Sequence, residues 1–281
     1  MFFVCGPTAS GKSAHALKVA AEMGGEIVNA DAFQLYRGAE VLTAAPSQDD
    51  QREVAHHLYG VLEPEDPVDA MAYLRMVVPV IEEIRSRGKQ PVITGGSGLY
   101  LKFLSHGPSP LPPGEPGLRA ELDALPLEEL VTRLRVTDPV EAARTDLKNR
   151  RYVSRALEVC ILAGVPCSSL RDDWEEATSK RAEKLRGVFL QRDREDLHSR
   201  IGQRTKAMLE GGAIEEVKSL HHAAPGLEKA IGLGEIRRLL AGEINRGTCE
   251  ELINAATRQY AKRQETWFKR EKWLVHSHLE R

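Results

Sequence analysis

The fold is decided by the stretch Gly6-Pro7-Thr8-Ala9-Ser10-Gly11-Lys12-Ser13, which fits the pattern G-x-x-x-x-G-K-[ST] of a phosphate-binding loop. In such a loop the glycines let backbone N–H groups converge on a phosphate, and the following helix adds positive potential at its N-terminus. Lys12 would bring a mobile charge to the terminal phosphate, and the Ser13 hydroxyl would be a ligand for Mg²⁺. Because apolar residues 1–5 precede the motif and helical spacing follows it, the sequence predicts a polyphosphate-binding site.

Further along the chain, strand and helix patterns alternate. Residues 26–30 and 91–94 have the composition of short buried strands, and residues 69–86 have helical spacing that Pro79 is expected to interrupt. This alternation predicts an α/β fold with a P-loop NTPase-like parallel sheet and helices on both of its faces.

A mostly helical insertion is predicted to divide this core. Residues 106–117 contain five prolines and three glycines, which neither a helix nor a central strand tolerates. The chain then has a helical pattern from 118 to about 184, a strand at 187–190, a long helix at 249–270 and a last strand at 273–276. The predicted segments are residues 1–107 for the first part of the core, 108–184 for the insertion, and 185–281 for the rest of the core.

Composition excludes several classes of protein. The 281 residues carry a formal net charge of −2, and no apolar run approaches the ~20 residues that cross a bilayer. The apolar start has no basic region before it and is too short for a signal peptide, so we expect a cytoplasmic protein without a membrane segment. The four cysteines show no paired spacing, which favours buried thiols, and His56-His57 is expected to pack structurally instead of binding a metal.

The phosphate-binding loop alone does not specify the reaction. Most proteins that contain it hydrolyse or transfer a γ-phosphate, so the loop by itself favours an ATP-binding nucleotide kinase or NTPase. The remaining motifs indicate a different reaction.

Several segments, in order along nearly the whole chain, together resemble the bacterial tRNA dimethylallyltransferase family, also called tRNA isopentenyltransferases. They are Gly6–Ser13, Asp31-Ala32-Phe33-Gln34-Leu35-Tyr36, Thr43-Ala44-Ala45-Pro46, His56-His57-Leu58, Gly95-Gly96-Ser97-Gly98-Leu99-Tyr100, residues 150–158 (RRYVSRALE) and residues 257–268 (TRQYAKRQETWF). The chain departs from the family pattern at Ala32, Leu42, Ala45, Ser97, Lys148-Asn149 and Leu233-Gly234.

This resemblance implies a reaction and roles for several residues. A dimethylallyl group passes from dimethylallyl diphosphate to N6 of adenine 37 of tRNA, next to the anticodon, and diphosphate is released. Asp31 would be the general base, although a magnesium ligand is the alternative role. Ser97 would bind the N6 amine or the bridging oxygen of the diphosphate; the alternative is that it only shapes a turn. Arg204 would bind the diphosphate; the alternative is a solvated helical arginine. Lys12, the loop amides and Mg²⁺ would stabilise the leaving group.

Basic segments suit an RNA partner. Residues 144–155 and 258–270 each contain five cationic residues and one acidic residue, in a chain whose total charge is close to zero. Since the acceptor base must leave its stack, arginine or aromatic side chains are expected near it. The residues expected to bind tRNA, several of them by resemblance, are Asp31, Ala32, Phe33, Gln34, Arg119, Arg151, Arg155, Lys262 and Arg263. A monomer is favoured.

Three alternatives remain open at this point. A nucleotide kinase would release ADP from ATP and would need arginines placed over the nucleotide. An adenylate isopentenyltransferase would alkylate a free nucleotide, although the helical insertion and the basic C-terminal helix favour RNA. A non-catalytic RNA-binding ATPase switch would require Lys12 but not Asp31.

Overall fold

A computed structural model describes residues 1–108 and 110–279 of the chain. Ser109, inside the proline-rich stretch, and residues 280–281, at the end of the third predicted segment, lie outside the described residues. The chain divides into two compact units. One contains residues 1–105 and 185–281, and the other contains residues 106–184.

The first unit is built on one parallel sheet, which confirms the fold class expected from the sequence. The strands are β1 (Phe2–Cys5), β2 (Gly25–Asn29), β3 (His56–His57), β4 (Gln90–Gly95), β5 (Gly187–Gln191) and β6 (Val275–His278). Their order across the sheet is β3-β2-β4-β1-β5-β6, and every pair is parallel. Because β1 lies between β4 and β5, the phosphate-binding loop leaves the middle of the sheet.

Alternation of side chains along the strands separates two hydrophobic layers. Phe3 and Cys5 face one layer, and Val4 between them faces the other. The first layer contains Tyr73 of a long helix after β3, and the second contains Ala16 of the helix after the loop. Successive strand residues point to opposite faces, so each face of the sheet is covered by helices.

The described residues form fourteen α-helices. They are α1 (Lys12–Met23), α2 (Glu40–Thr43), α3 (Gln48–Glu53), α4 (Ala70–Ser86), α5 (Gly98–His106), α6 (Pro116–Ala124), α7 (Leu127–Thr137), α8 (Pro139–Arg144), α9 (Arg150–Ala163), α10 (Cys167–Ala182), α11 (Arg194–Glu210), α12 (Ala213–Ser219), α13 (Leu233–Leu240) and α14 (Arg246–Phe268). A separate hydrophobic cluster in the first unit joins α2 to α11–α14, and the buried Leu233 belongs to it.

One expectation about an individual element was wrong. The helix α4 continues through Pro79 without interruption, because it buries Tyr73, Val77 and Ile81 on one face and this packing outweighs the lost backbone hydrogen bond. His56-His57 forms the edge strand β3 beside β2.

The second unit is helical and contains α6 to α10. Leu130, Leu134 and Val153 are fully buried at its centre, and Cys160 and Cys167 form a smaller buried cluster. All four cysteines of the chain are free and buried, as expected. Within the described ranges no single helix is long and apolar enough to cross a membrane; one bent helix pair, Arg150–Ala163 with Cys167–Ser179, passes on length and composition alone.

Candidate active site at the phosphate-binding loop

The loop between β1 and α1 has the conformation of an anion-binding turn. Gly11 has φ +93° and Ala9 has φ +64°, two left-handed positions of the kind that lets backbone N–H groups converge in an anion-binding turn. Ser10 is fully buried, and its Oγ has no hydrogen-bond partner among the described residues. A buried hydroxyl without a partner is costly, so Ser10 is suited to an anion at this position.

Three arginines contact the backbone or side chains of this loop. Arg204 donates a hydrogen bond to Thr8 Oγ1 at 2.9 Å, Arg200 donates to the Ala9 carbonyl at 2.9 Å, and Arg192 donates to the Ser10 carbonyl at 2.9 Å. Of the three, only Arg204 was predicted from the sequence. Arg200 stands four residues before Arg204, a spacing that places both cations on one face of α11, whereas Arg192 directly follows β5 and had no such signal.

Asp31 lies immediately beyond the carboxyl end of β2. The Asn29 side chain accepts the Asp31 N–H at 2.7 Å and donates to the Asp31 carbonyl at 3.0 Å. The Asp31 carboxylate accepts the backbone N–H of Phe33 at 3.1 Å. These bonds hold Asp31 in place. Its side chain nevertheless remains partly exposed, so the carboxylate is accessible to a ligand.

One pocket of about 670 Å³ brings Asp31 together with the phosphate-binding loop. Thr8, Lys12 and Arg204 form its cationic and polar side. The rest of the pocket is largely apolar. Its remaining lining residues are Phe33, Gln34, Leu42, Thr43, Thr205, Met208, Ala230, Ile231, Ile253, Thr257 and Tyr260. The pocket therefore suits a ligand with an anionic end and an apolar part.

The cations of this pocket affect each other. Burial lowers the pKa of the Lys12 ammonium to about 8; the Asp31 carboxylate opposes this change, and the Arg204 guanidinium adds to it. Burial also lowers the pKa of Arg204, and again Asp31 opposes the shift. An anion bound between Lys12 and Arg204 would relieve their repulsion.

Ser97 lies beside this pocket, on the turn after β4. Its Oγ accepts the Ala32 N–H at 2.9 Å, and its own N–H donates to the Ala30 carbonyl at 3.2 Å. The turn approaches β2 so closely that a Cβ at Gly95 would lie 2.2 Å from the Ala30 carbonyl carbon. Ser97 lines a neighbouring pocket of about 680 Å³ and is not among the residues that line the Asp31 pocket.

Two residues of α14 complete the site, and the sequence analysis gave neither of them a role. Gln264 is buried; its Oε1 accepts the Thr8 N–H at 2.8 Å and its Nε2 donates to the Gly96 carbonyl at 2.9 Å. Tyr260, one turn earlier, lines both the Asp31 pocket and the Ser97 pocket. Both residues stand within the motif at 257–268 that carried the resemblance, which was the available signal.

The other residues expected to bind tRNA in this unit are distributed over several surfaces. Phe33 and Gln34 line the Asp31 pocket, and the Gln34 amide donates to the Thr43 and Ala44 carbonyls. Lys262 and Arg263 are adjacent on α14 but face different pockets. Lys262 lines a third, basic pocket, whereas Arg263 lines the Ser97 pocket and lies 5.6 Å from the centre of the Tyr260 ring.

In the helical unit, Arg119 and Arg155 converge on the buried carboxylate of Glu158. Arg155 donates to Glu158 Oε2 at 2.6 Å, and Arg119 donates to the same oxygen at 3.2 Å. Arg151 is exposed on the same helix, α9. All three arginines line a pocket of about 1080 Å³ within this unit, so the predicted RNA contacts of the insertion do lie together.

His57 has a structural partner, and neither residue of this pair lines the Asp31 pocket. Its Nε2 lies 2.6 Å from the buried Glu26 carboxylate, which also pairs with Arg87 at 2.7 Å and Lys89 at 2.8 Å. Glu26 lies near the start of β2, whereas Asp31 follows its end. No group of three or more potential metal-ligating His, Cys, Asp or Glu side chains occurs among the residues the structure describes.

Comparisons with known proteins agree with the sequence motifs. A family model described as IPP transferase matches residues 34–271. The chain is 44% identical over 272 residues to the tRNA dimethylallyltransferase of Akkermansia muciniphila, an alignment that covers 97% of this chain and 91% of that protein. It is 42% identical over 276 residues to tRNA dimethylallyltransferase 1 of Citrifermentans bemidjiense, covering 96% and 90% of the two chains.

A solved structure has the same fold over nearly the whole chain. The crystal structure of the full-length tRNA isopentenylpyrophosphate transferase from Bacillus halodurans matches with a TM-score of 0.71 and 29% identity. The match covers 99% of this chain and 89% of that one.

Proposed function

The chain belongs to the IPP transferase family and is an enzyme of the tRNA dimethylallyltransferase type, and we propose in detail that it alkylates N6 of adenine 37 in tRNA with dimethylallyl diphosphate. The observation that supports this proposal most strongly is the pocket that Asp31 shares with Lys12. A carboxylate and a phosphate-binding lysine in one pocket suit the transfer of an alkyl group from a diphosphate to an amine.

The proposed reaction is a single displacement. The N6 nitrogen forms a bond to C1 of the dimethylallyl group while the bond from C1 to the diphosphate oxygen breaks. The N6 proton passes to the Asp31 carboxylate, and the bonding electrons leave with the diphosphate. Because the N6 lone pair is delocalised into the ring, removal of this proton as the bond forms is the assistance that Asp31 supplies.

In this proposal the diphosphate binds at the phosphate-binding loop. The N-terminus of α1, the unpaired Ser10 hydroxyl and the charges of Lys12 and Arg204 favour an anion there. Ser13 follows Lys12 in the first turn of α1, and its side chain is exposed. Mg²⁺ usually takes one or two protein ligands and completes its shell with phosphate oxygens and water. The Ser13 hydroxyl is therefore a suitable ligand for a metal ion that would neutralise charge on the leaving diphosphate.

In this proposal the acceptor adenine binds on the Asp31 side of the same pocket. Phe33 and Gln34 line the pocket next to Asp31, and Tyr260 offers an aromatic face. Ser97 holds the Ala32 N–H, so its hydroxyl orders the segment that carries Asp31, and it remains our candidate for a contact with the amine. Arg119, Arg151, Arg155, Lys262 and Arg263 are the proposed contacts with RNA phosphates or bases.

A nucleotide kinase is the main competitor, since the loop itself fits either reaction. The comparisons favour the alkyltransferase, because the similar proteins reported above are named as tRNA dimethylallyltransferases or isopentenyl transferases over nearly their whole length.

The test is incubation of the enzyme with labelled dimethylallyl diphosphate, Mg²⁺ and unmodified tRNA, followed by nucleoside analysis. We expect an alkylated adenosine, one diphosphate released per transfer, and no product when AMP replaces tRNA. Release of ADP from ATP without alkylated adenosine would overturn the proposal in favour of a kinase. Alkylated AMP would overturn the choice of RNA as acceptor.

A further inference from the structure

Gln264 connects the phosphate-binding loop to the turn after β4. Its amide oxygen accepts the Thr8 N–H at 2.8 Å, and its amide nitrogen donates to the Gly96 carbonyl at 2.9 Å. The side chain is only 4% exposed. Thr8 belongs to the segment proposed to hold the diphosphate, and Gly96 precedes Ser97, so one amide spans both sides of the site.

The space around this amide is tightly limited. A Cβ at Gly96 would lie 2.1 Å from Gln264 Nε2 and 3.5 Å from Asp31 Oδ2. Gly96 therefore brings the amide of Gln264 and the carboxylate of Asp31 close to the same backbone position. A shift of Gln264 would change the distance between the loop and the turn.

Tyr260 extends this connection toward Asp31. Burial raises the pKa of its phenol, and the nearby side chains of Gln264 and Ser97 oppose this rise. Ser97 in turn accepts the Ala32 N–H, next to Asp31. The contacts thus run from Thr8 through Gln264 to the turn of Gly96 and Ser97, and from Ser97 to the segment that carries the carboxylate.

We propose that Gln264 is a positioning residue for the transfer step: it fixes the spacing between the diphosphate bound at the loop and the acceptor amine beside Asp31. This proposal rests on the function proposed above. Because a displacement of about 1 Å between reacting groups can reduce a rate ~100-fold, a residue that touches neither substrate can act strongly in this way.

The amide is required both to accept and to donate. In Gln264→Glu an ionised carboxylate can accept the Thr8 N–H but has no hydrogen to donate to the Gly96 carbonyl. The protonated acid can do both, since its O–H replaces the amide N–H. Burial favours the protonated form, so lowering the pH should restore the function of this variant relative to the wild type.

The first experiment measures single-turnover transfer at saturating dimethylallyl diphosphate and tRNA, together with tRNA affinity and melting temperature. Gln264→Ala should lower the saturated rate roughly 100-fold while tRNA affinity is retained. Gln264→Glu should recover about tenfold relative to the wild type between about pH 8.5 and about pH 6. Glu251→Gln, an exposed change nearer the start of the same helix, should behave as the wild type.

Several results would overturn the positioning role. They are a Gln264→Ala enzyme with a nearly normal saturated rate, a rate loss that only follows the loss of folded protein in circular dichroism, and a Gln264→Glu defect that is independent of pH. A wild-type enzyme that forms no alkylated adenosine would instead refute the proposed function itself, so the two failures are distinguishable.

A second pair of variants tests the same contact without depending on the stability of Gln264→Ala. Gly96→Ala forces a methyl group against the Gln264 amide and should slow transfer. When Gln264→Ala is added, the clash disappears, so the double variant should be no slower than Gln264→Ala alone. Rate losses that simply multiply would show that the two residues act independently and would contradict the proposal.

Discussion

The carboxylate of Asp31 accepts a hydrogen bond from the backbone N–H of Phe33 at 3.1 Å through Oδ1, and Oδ2 lies on the side of Gly96. A carboxylate held in this way has one oxygen bound to its own loop and the other directed to the turn that carries Ser97. If Asp31 is the base, its removal should affect the chemical step and leave folding intact.

We therefore expect Asp31→Ala and Asp31→Asn each to reduce the saturated transfer rate by roughly 10²–10⁴-fold. Single-turnover kinetics measure the rate, and calorimetry with a donor analogue checks that the diphosphate still binds. Asp49→Asn, an exposed acid in the first turn of α3, serves as the control. Normal transfer by Asp31→Asn would contradict the role of base.

Donor affinity should fall as pH rises through about 8, the pKa of Lys12. Below this pH the ammonium is protonated and attracts the diphosphate; above it the free enzyme loses that proton, and binding must restore it. Titration calorimetry with a donor analogue across this range measures the effect. Lys12→Arg keeps its charge, so its affinity should lack this decline. An equal decline in both enzymes would assign the effect to another group.

Arg204 is expected to contribute to donor binding. Its guanidinium contacts Thr8 Oγ1 and the Thr43 carbonyl and lines the same pocket as Lys12. Arg204→Ala should lower kcat/KM for dimethylallyl diphosphate by roughly 10–100-fold, the value of one or two charge-assisted hydrogen bonds, and leave KM for tRNA nearly unchanged. Arg238→Ala, which removes an arginine paired with Glu243, is the control. A selective rise in KM for tRNA would instead place Arg204 on the RNA side.

Substitution of Arg151 and of Arg155 should have different effects on stability, although both residues are proposed to contact RNA. Arg151 is exposed, so Arg151→Ala should weaken tRNA binding with stability unchanged. Arg155 pairs with Glu158, which is 1% exposed, so Arg155→Ala should also lower the free energy of unfolding by roughly 1–3 kcal/mol, since a buried carboxylate loses a partner. Filter binding and chemical denaturation measure the two effects. Equal stability of both variants would show that Arg119 and the Glu115 N–H satisfy Glu158 without Arg155.

The Glu26 cluster should contribute to stability and not to catalysis. Burial raises the pKa of Glu26, but hydrogen bonds from Lys89, His57 and Arg87 outweigh this and lower it from 4.5 to about 2. The resulting stability is complete above about pH 4.5 and is lost as pH falls toward 2. Glu26→Gln should lower the free energy of unfolding by about 3 kcal/mol at neutral pH and remove most of this acid dependence.

Urea denaturation at several pH values measures the effect of Glu26→Gln. Glu83→Gln removes the exposed partner of Arg87 and should change the free energy of unfolding by less than about 1 kcal/mol. A large change in the saturated transfer rate of Glu26→Gln, well below its melting temperature, would contradict a purely structural role.

Local patterns predicted the elements that position the site. The motif Gly6–Ser13 predicted a strand, a loop and a helix because glycine spacing and apolar runs are properties of neighbouring residues. The position of Asp31 after β2 followed from the same logic, since parallel strands present their carboxyl ends at one edge. The structure places Asp31 and Lys12 in one pocket, as that reasoning requires.

Contacts between distant segments could not be predicted in the same way. Nothing in the sequence near Gln264 indicates that its amide bonds Thr8, because the pairing depends on how α14 packs against the loop. Arg200 has a helical spacing to Arg204, but only the fold determines which groups that face contacts, and Arg192 lies outside the helix. Likewise Pro79 is unfavourable in a helix locally, and only the buried face of α4 explains why the helix continues.

The bond between Thr8 and Gln264 joins residues 256 positions apart in the chain. Closing so long a loop has a large entropic cost, so we expect this contact to form late in folding. During synthesis on the ribosome, the loop at the N-terminus is complete in sequence long before its partner emerges. A nascent chain should therefore acquire its substrate-binding geometry only when the last helix docks.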